Sequence, residues 1–171
     1  GRALSAKILL KECDPKCDPL GPDNVVVLAP GVLSGSVAPT SGRMSVGGKS
    51  PLTGGIKEAN SGGQAGQKLA RMGYRAAIIT GKAPDPEKRY KVVVDKEGYS
   101  IVEAPELKML RTYAASEKLQ ESHSKRAVYL LVGPAGELGL SGASVALTDE
   151  GADHPARHAA RGGLGAAMGV K

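Results

Sequence analysis

The chain has 171 residues, 41% hydrophobic and 23% charged, enough apolar material for one packed domain. Its net charge is +6, and with five Tyr, no Phe and no Trp the core must be aliphatic. There is no Gly-X-Y period, no run of about 18 apolar residues, no charged-then-apolar leader and only two Cys, which excludes collagen, a membrane span, a visible signal peptide and a disulfide scaffold.

Residues 2–12 predict a helix with Leu4, Ile8 and Leu9 on one side; it starts uncapped, so further chain is expected before it. Prolines and aspartates make 13–23 a loop, and NVVVLA (24–29) reads as a buried strand. Residues 30–42 are a Gly/Pro/Ser loop, RMSVGGK (43–49) alternates like a strand, and SPLTGG (50–55) is a turn. The next segment, 60–74, predicts a helix from Gln64 to Met72, with Asn60 or Ser61 as N-cap, Leu69 and Met72 inward, and Gly73 as the left-handed stop. RAAIITGK (75–82) follows as a short buried strand.

In the second half, 90–104 reads as a hairpin around Lys96–Gly98, and 105–122 as one helix opened by Pro105. KRAVYLLVG (125–133) is a strand, PAGELGL (134–140) a turn and SGASVAL (141–147) a strand. A polar loop (148–163) leads into a helix start at LGAAMGVK. Hairpins with few helices favour an α+β fold with mixed or antiparallel sheets over a doubly wound parallel sheet, in a single domain spanning 1–171.

Charge is concentrated. Residues 31–82 carry seven basic side chains (Arg43, Lys49, Lys57, Lys68, Arg71, Arg75, Lys82), one acid (Glu58) and 12 of the 24 glycines. Cationic side chains beside approachable backbone suit phosphate binding. A solvated basic surface is the plain alternative. Nucleic acid is disfavoured because aromatic stacking platforms are scarce and no helix-turn-helix or zinc-finger pattern is present.

The remaining motifs are weak. Cys13 and Cys17 form C-x3-C without a second pair, and read as incidental loop thiols in a reducing compartment. His154 and His158 stand i, i+4 beside Asp153, but lack the zincin Glu and a third ligand, so a surface loop is the better reading; His123 reads as a helix-end residue. GGLGAAMG does not follow a predicted strand, which argues against a dinucleotide fingerprint. There is no P-loop, no nucleophile elbow and no persuasive acid–base pair. The residues alone describe a phosphate- or cofactor-cradling domain without catalytic machinery of its own.

Five phrases occur in order: LLKECDPKCDPLGPDNVVVLAPGVLSGSVAPTSGRMSV, KSPLTGGIKEANSGGQAG, ARMGYRAAIITGKA, VGPAGE and ARGGLGAAMG. Together they resemble the N-terminal domain of the aldehyde ferredoxin oxidoreductase family. The resemblance implies an α+β base on which tungstopterin (or molybdopterin) lies, in a cytoplasmic oxidoreductase. Such an enzyme oxidises aldehydes to carboxylic acids and passes electrons through a 4Fe-4S iron–sulfur cluster to ferredoxin. The cluster ligands, the substrate pocket and two helical domains of the family would lie outside these 171 residues, as would strands before the opening helix; Cys13 and Cys17 do not match cluster ligands.

By resemblance, Arg43 of the T-x-G-R phrase lies between cofactor and cluster. Asn60, Ser61, Gly62 and Gly63 approach the pterin. Arg157 and Arg161 match two arginines of the family's R-x-A-x-R-G-G loop and belong to the cofactor-binding set, Arg157 as the better phosphate partner and Arg161 with a structural role as the alternative, and Gly162 and Gly163 complete that set. Backbone carbonyls of Asn60 and His158 would hold a magnesium ion bridging the pterin phosphates; the family commonly has a small residue at the His158 position. No catalytic residue falls in this segment. Implied partners are ferredoxin, the aldehyde and the remaining domains, with a homodimer among the assemblies allowed, and neither nucleic acid nor membrane. Two rivals stay open: a family relative acting on other carboxylates or aromatic acyl groups, and a stand-alone phosphate- or nucleic-acid-binding module.

Overall fold

The computed structural model describes residues 1–124, 126–149 and 154–171. Nine strands and five α-helices follow the chain: α1 (Arg2–Glu12), β1 (Val26–Pro30), β2 (Met44–Lys49), β3 (Ile56–Ser61), α2 (Ala65–Arg71), β4 (Ala77–Ile79), β5 (Tyr90–Val94), β6 (Tyr99–Glu103), α3 (Thr112–Ser122), β7 (Leu130–Leu131), α4 (Pro134–Glu137), β8 (Val145–Leu147), β9 (Arg157–Ala159) and α5 (Leu164–Gly169). Three antiparallel sheets result, ordered β3-β2-β1-β4, β5-β6 and β7-β8-β9. This is the α+β architecture expected from the sequence.

Strand β1 runs through the middle of the first sheet and is buried on both faces, as its unbroken VVLA run demands. Val26 and Leu28 meet Met44, Val46, Ala65, Leu69, Val145, Leu147, Leu164 and Ala167 on one face. Val25, Val27 and Ala29 meet Leu9, Cys13 and Cys17 on the other. The four-stranded sheet is thus covered by α1 and the following loop on one side. On the other it is covered by α2, α5 and the third sheet.

Several sequence expectations need correction. Asn60 and Ser61 do not cap α2; they end β3, an unforeseen strand, and Gln64 is the residue before the helix. The 75–82 strand is reduced to an edge strand with Ile78 half exposed, because only β1 pairs with it. The predicted 105–122 helix breaks after a 3-10 turn at Pro105–Leu107: Met109 takes a left-handed φ of 59° and its amide donates to Glu137 Oε1 and Oε2 at 3.0 Å each. PAGE is a short helix, α4, rather than a turn, and the 148–163 loop contains β9. That strand precedes the GGLG turn, yet β9 pairs only antiparallel with β8, so no βαβ unit forms around the glycines.

Candidate functional site: a glycine turn between two arginines

The site is built where β2 begins and β3 ends. In the β2–β3 ladder Met44 faces Ser61 and Ser45 faces Asn60, so Arg43 and the Ser61–Gly62–Gly63 turn emerge side by side. Two close approaches hold them. A Cβ on Gly42 would stand 2.6 Å from the Gly63 carbonyl oxygen, and one on Gly66 would stand 2.9 Å from the Gly42 and Arg43 carbonyl oxygens. These glycines are required because backbone lies against backbone. Ser34 Oγ and the Gly31 amide both donate to the Arg43 carbonyl, fixing the 31–42 loop behind it.

Arg43 extends over the turn, with Nη1 3.7 Å from where a Gly62 Cβ would be. Its Nε donates to Asn60 Oδ1. Arg157 approaches from the other side: its Cγ lies 3.3 Å from a Gly63 Cβ position, and its Nε faces Asp149 Oδ2 at 3.4 Å. Gly63 takes φ +94°, which favours glycine, and a side chain there would meet Asp149 Oδ1 at 2.4 Å. The Gly62 and Gly63 amides, and the terminal nitrogens of both arginines, make no hydrogen bond to protein among the described residues. Two arginine side chains and two backbone amides therefore lie at one turn, a donor set suited to phosphate or to another oxyanion or thiolate anion.

Asp149 is the site residue that sequence reasoning missed. Its carboxylate accepts the Gln64 amide at 2.9 Å and faces Arg157, tying the start of α2 to the third sheet. No local motif marks it, since its partners are 85 and 8 residues away.

The other expected residues are placed as follows. Asn60 and His158 lie on β3 and β9, edge strands of different sheets that pack against each other. The His158 side chain turns to Ser144 Oγ at 3.1 Å, whereas His154 packs on Tyr113 with ring centroids 5.0 Å apart. The two histidines do not converge, and His158 lies on strand β9 rather than in the expected surface loop; Asp153 lies outside the described residues. Among the described residues no three His, Cys, Asp or Glu side chains gather as for a metal ion. Arg161 is exposed without a polar partner among the described residues. Gly162 and Gly163 are buried: Gly162 accepts Ser50 Oγ at 2.7 Å and abuts Lys57, and Gly163 (φ +70°) abuts Ser141 and precedes α5.

The basic segment divides. Arg43 is at the turn and Lys57 lies over Gly162, but Lys49 is buried elsewhere, its Nζ donating to Pro15 and Cys17 carbonyls at 2.5 and 2.6 Å. Nor are Cys13 and Cys17 incidental loop thiols. Both are free and buried in the α1 face of the core, with Sγ atoms 3.7 Å apart.

A family model described as "Aldehyde ferredoxin oxidoreductase, N-terminal domain" matches residues 1–171. The chain is 42% identical over 173 residues to the tungsten-containing aldehyde ferredoxin oxidoreductase of Pyrococcus furiosus, and 40% identical to that of Thermococcus kodakarensis. Each alignment covers 99% of this chain and 27% of the relative, so the chain spans about a quarter of their length. Among solved structures, the active site complex BamBC of benzoyl coenzyme A reductase with 1,5 dienoyl-CoA is similar at a TM-score of 0.89 and 28% identity, covering all of this chain and 25% of that one. No helix among the described residues is long and apolar enough to cross a membrane.

Proposed function

Because the chain belongs to the aldehyde ferredoxin oxidoreductase family, as its N-terminal domain, we propose that it forms the floor on which a tungstopterin is held in an aldehyde-oxidising enzyme. The observation that carries this reading is the Ser61–Gly62–Gly63 turn with Arg43 on one side and Arg157 on the other, the Gly62 and Gly63 amides and the terminal guanidinium nitrogens having no protein partner among the described residues. The residues fit such a group: the terminal guanidinium nitrogens of Arg43 and Arg157 and the Gly62 and Gly63 amides would answer its phosphate and sulfur anions. When bound, the tungstopterin supplies the two-electron redox chemistry that converts an aldehyde to a carboxylic acid.

This chain's residues bind and orient. Arg43, exposed beside the turn, holds a fixed positive charge against the anionic ring system and toward an iron–sulfur cluster contributed by further chain. Arg157 neutralises a phosphate, with Asp149 setting its direction. The backbone carbonyls of Asn60 and His158, on adjoining edge strands, are proposed to hold magnesium. Ferredoxin as electron acceptor and a 4Fe-4S cluster belong to the same reading.

The test is Arg43→Ala in the intact protein, purified without oxygen. Tungsten per chain should fall about tenfold or more, the scale of losing one charge-assisted bidentate contact, with the unfolding temperature unchanged. Full tungsten content would remove Arg43 from the site and sink the reading. A second reading, an enzyme for aromatic acyl thioesters, is favoured by the structural likeness to the benzoyl coenzyme A reductase complex. The higher identity to the aldehyde enzymes supports the first reading. Turnover of a simple aldehyde against an aromatic acyl thioester decides between them.

A further inference from the structure

The strongly basic segment 31–82 contains one acid, Glu58, and the structure gives it an unexpected position. Its side chain is only 14% exposed and sits on β3, two residues before Asn60. Oε1 accepts Ser45 Oγ at 2.6 Å and the Asn60 amide nitrogen at 3.4 Å; Oε2 accepts Arg2 Nε at 3.1 Å. The carboxylate therefore joins the start of α1, β2 and β3.

Its bond to Asn60 has a directional consequence. A carboxylate only accepts, so the Asn60 NH2 must face Glu58. The Asn60 Oδ1 is then turned toward Arg43, where it accepts Nε. With Nε engaged from one side, the guanidinium is oriented and its Nη1 lies 3.7 Å from a Gly62 Cβ position. Reversing the amide would set NH2 against a guanidinium, donor against donor.

We propose that Glu58 is a positioning residue: acting through the Asn60 side chain, it orients the Arg43 guanidinium toward the anionic ligand of the glycine turn. This deepens the function proposed above and rests on it. The Asn60 side chain thereby has a task separate from its backbone carbonyl. Glu58 does not itself compete for Arg43, because a neutral amide stands between them; the full positive charge remains available to a ligand.

The test compares Glu58→Ala, Glu58→Gln, Asn60→Ala and Arg43→Ala in the intact protein. Crystal structures of the Glu58 variants report on the orientation directly. Metal analysis reports tungsten per chain, and redox titration reports the potential of the bound centre. Gln keeps an acceptor for Asn60, so Glu58→Gln should retain the Arg43 geometry and tungsten content. Glu58→Ala should release Asn60, displace Arg43 and lower tungsten content about threefold to tenfold, a partial version of losing the arginine contact.

The potential separates positioning from simple charge removal. Deleting a nearby carboxylate charge by itself raises a potential, whereas loss of the aimed cation lowers it. Relative to Glu58→Gln, which removes the same charge and keeps the acceptor, Glu58→Ala should therefore shift the potential downward, in the direction of Arg43→Ala. Asn60→Ala, which keeps the backbone carbonyl and both charges, should do the same relative to the wild type and serves if Glu58→Ala does not fold.

An unmoved Arg43 in Glu58→Ala, or unchanged content and potential in Asn60→Ala, overturns the proposal. Should Arg43 move while Arg43→Ala keeps full tungsten, the orienting link stands and the cofactor reading is what fails.

Discussion

Cys17 shows how far one residue's surroundings can depart from its local sequence. Burial, with the Cys13 thiol 3.7 Å away, pushes its thiol up from the ordinary 9.0 to about 11. Below pH 9 the thiol is protonated in folded and unfolded chains alike, and its contribution is fully present. As pH rises from 9 to 11 the unfolded chain ionises first, and that stability is lost. The urea midpoint of the wild type should thus fall more steeply over this interval than that of Cys17→Ala; parallel profiles would contradict the burial argument. At the same scale, Arg43 and the glycines of the turn stood out in the sequence as a basic, glycine-rich segment; their contact with a cofactor is the proposal made above. Asp149 and the Glu58–Asn60–Arg43 link were not legible there, because Gln64 is brought to Asp149, and Arg43 to Asn60, only by folding. A cation in sequence carries no sign of its partner, as Lys49 demonstrates by spending its ammonium on the Pro15 and Cys17 carbonyls.

Among the elements, α1 illustrates how packing selects a helix face. Periodicity put Leu4, Ile8 and Leu9 together. The structure buries Leu9 and Ser5 and leaves Leu4 at 37% exposure. The cause lies on β2: Gly47 has no side chain, and a Cβ there would stand 2.0 Å from Ser5 Oγ. Only a small residue fits against that strand, so the helix turns Ser5 inward. The Ser5 hydroxyl finds no partner among the described residues. An unsatisfied buried hydroxyl is a cost, so Ser5→Ala should raise stability by about 1 kcal/mol in urea unfolding; a loss of that size would show that the hydroxyl is satisfied. The break before α3 has the same origin. Glu137 takes the Met109 amide and also pairs with Arg89 Nε at 2.7 Å, so a contact from α4 stops a helix that Pro105 had opened. Strand β3 was missed because its outer end, Ile56, Lys57 and Glu58, lacks a clean alternation; pairing along all six residues of β2 supplies what propensity did not.

At the scale of the whole molecule, the chain leaves apolar groups uncovered beside its site. Val32, Leu33 and Val37 stand out from a loop that is itself ordered by the Ser34–Arg43 and Gly35–Gln67 hydrogen bonds. Val37 is fully exposed, and the matched relatives are about four times longer. Apolar side chains exposed together suit a docking partner. We expect further chain of the intact protein to cover them. Val37→Asp should then lower its unfolding temperature by several degrees, on the order of 1–2 kcal/mol, while the 171-residue chain alone is unaffected. Equal effects in both would place the loop in solvent throughout. The sequence by itself determined an aliphatic core, a buried strand at 24–29, an α+β class and a basic, glycine-rich segment. These follow from local quantities: side-chain volume, β-branching, hydropathy and charge. Only the tertiary structure decided which glycines touch backbone, which lysine is buried, and which acid aims Arg43. Those properties belong to pairs of residues distant along the chain, and no window of sequence contains both members.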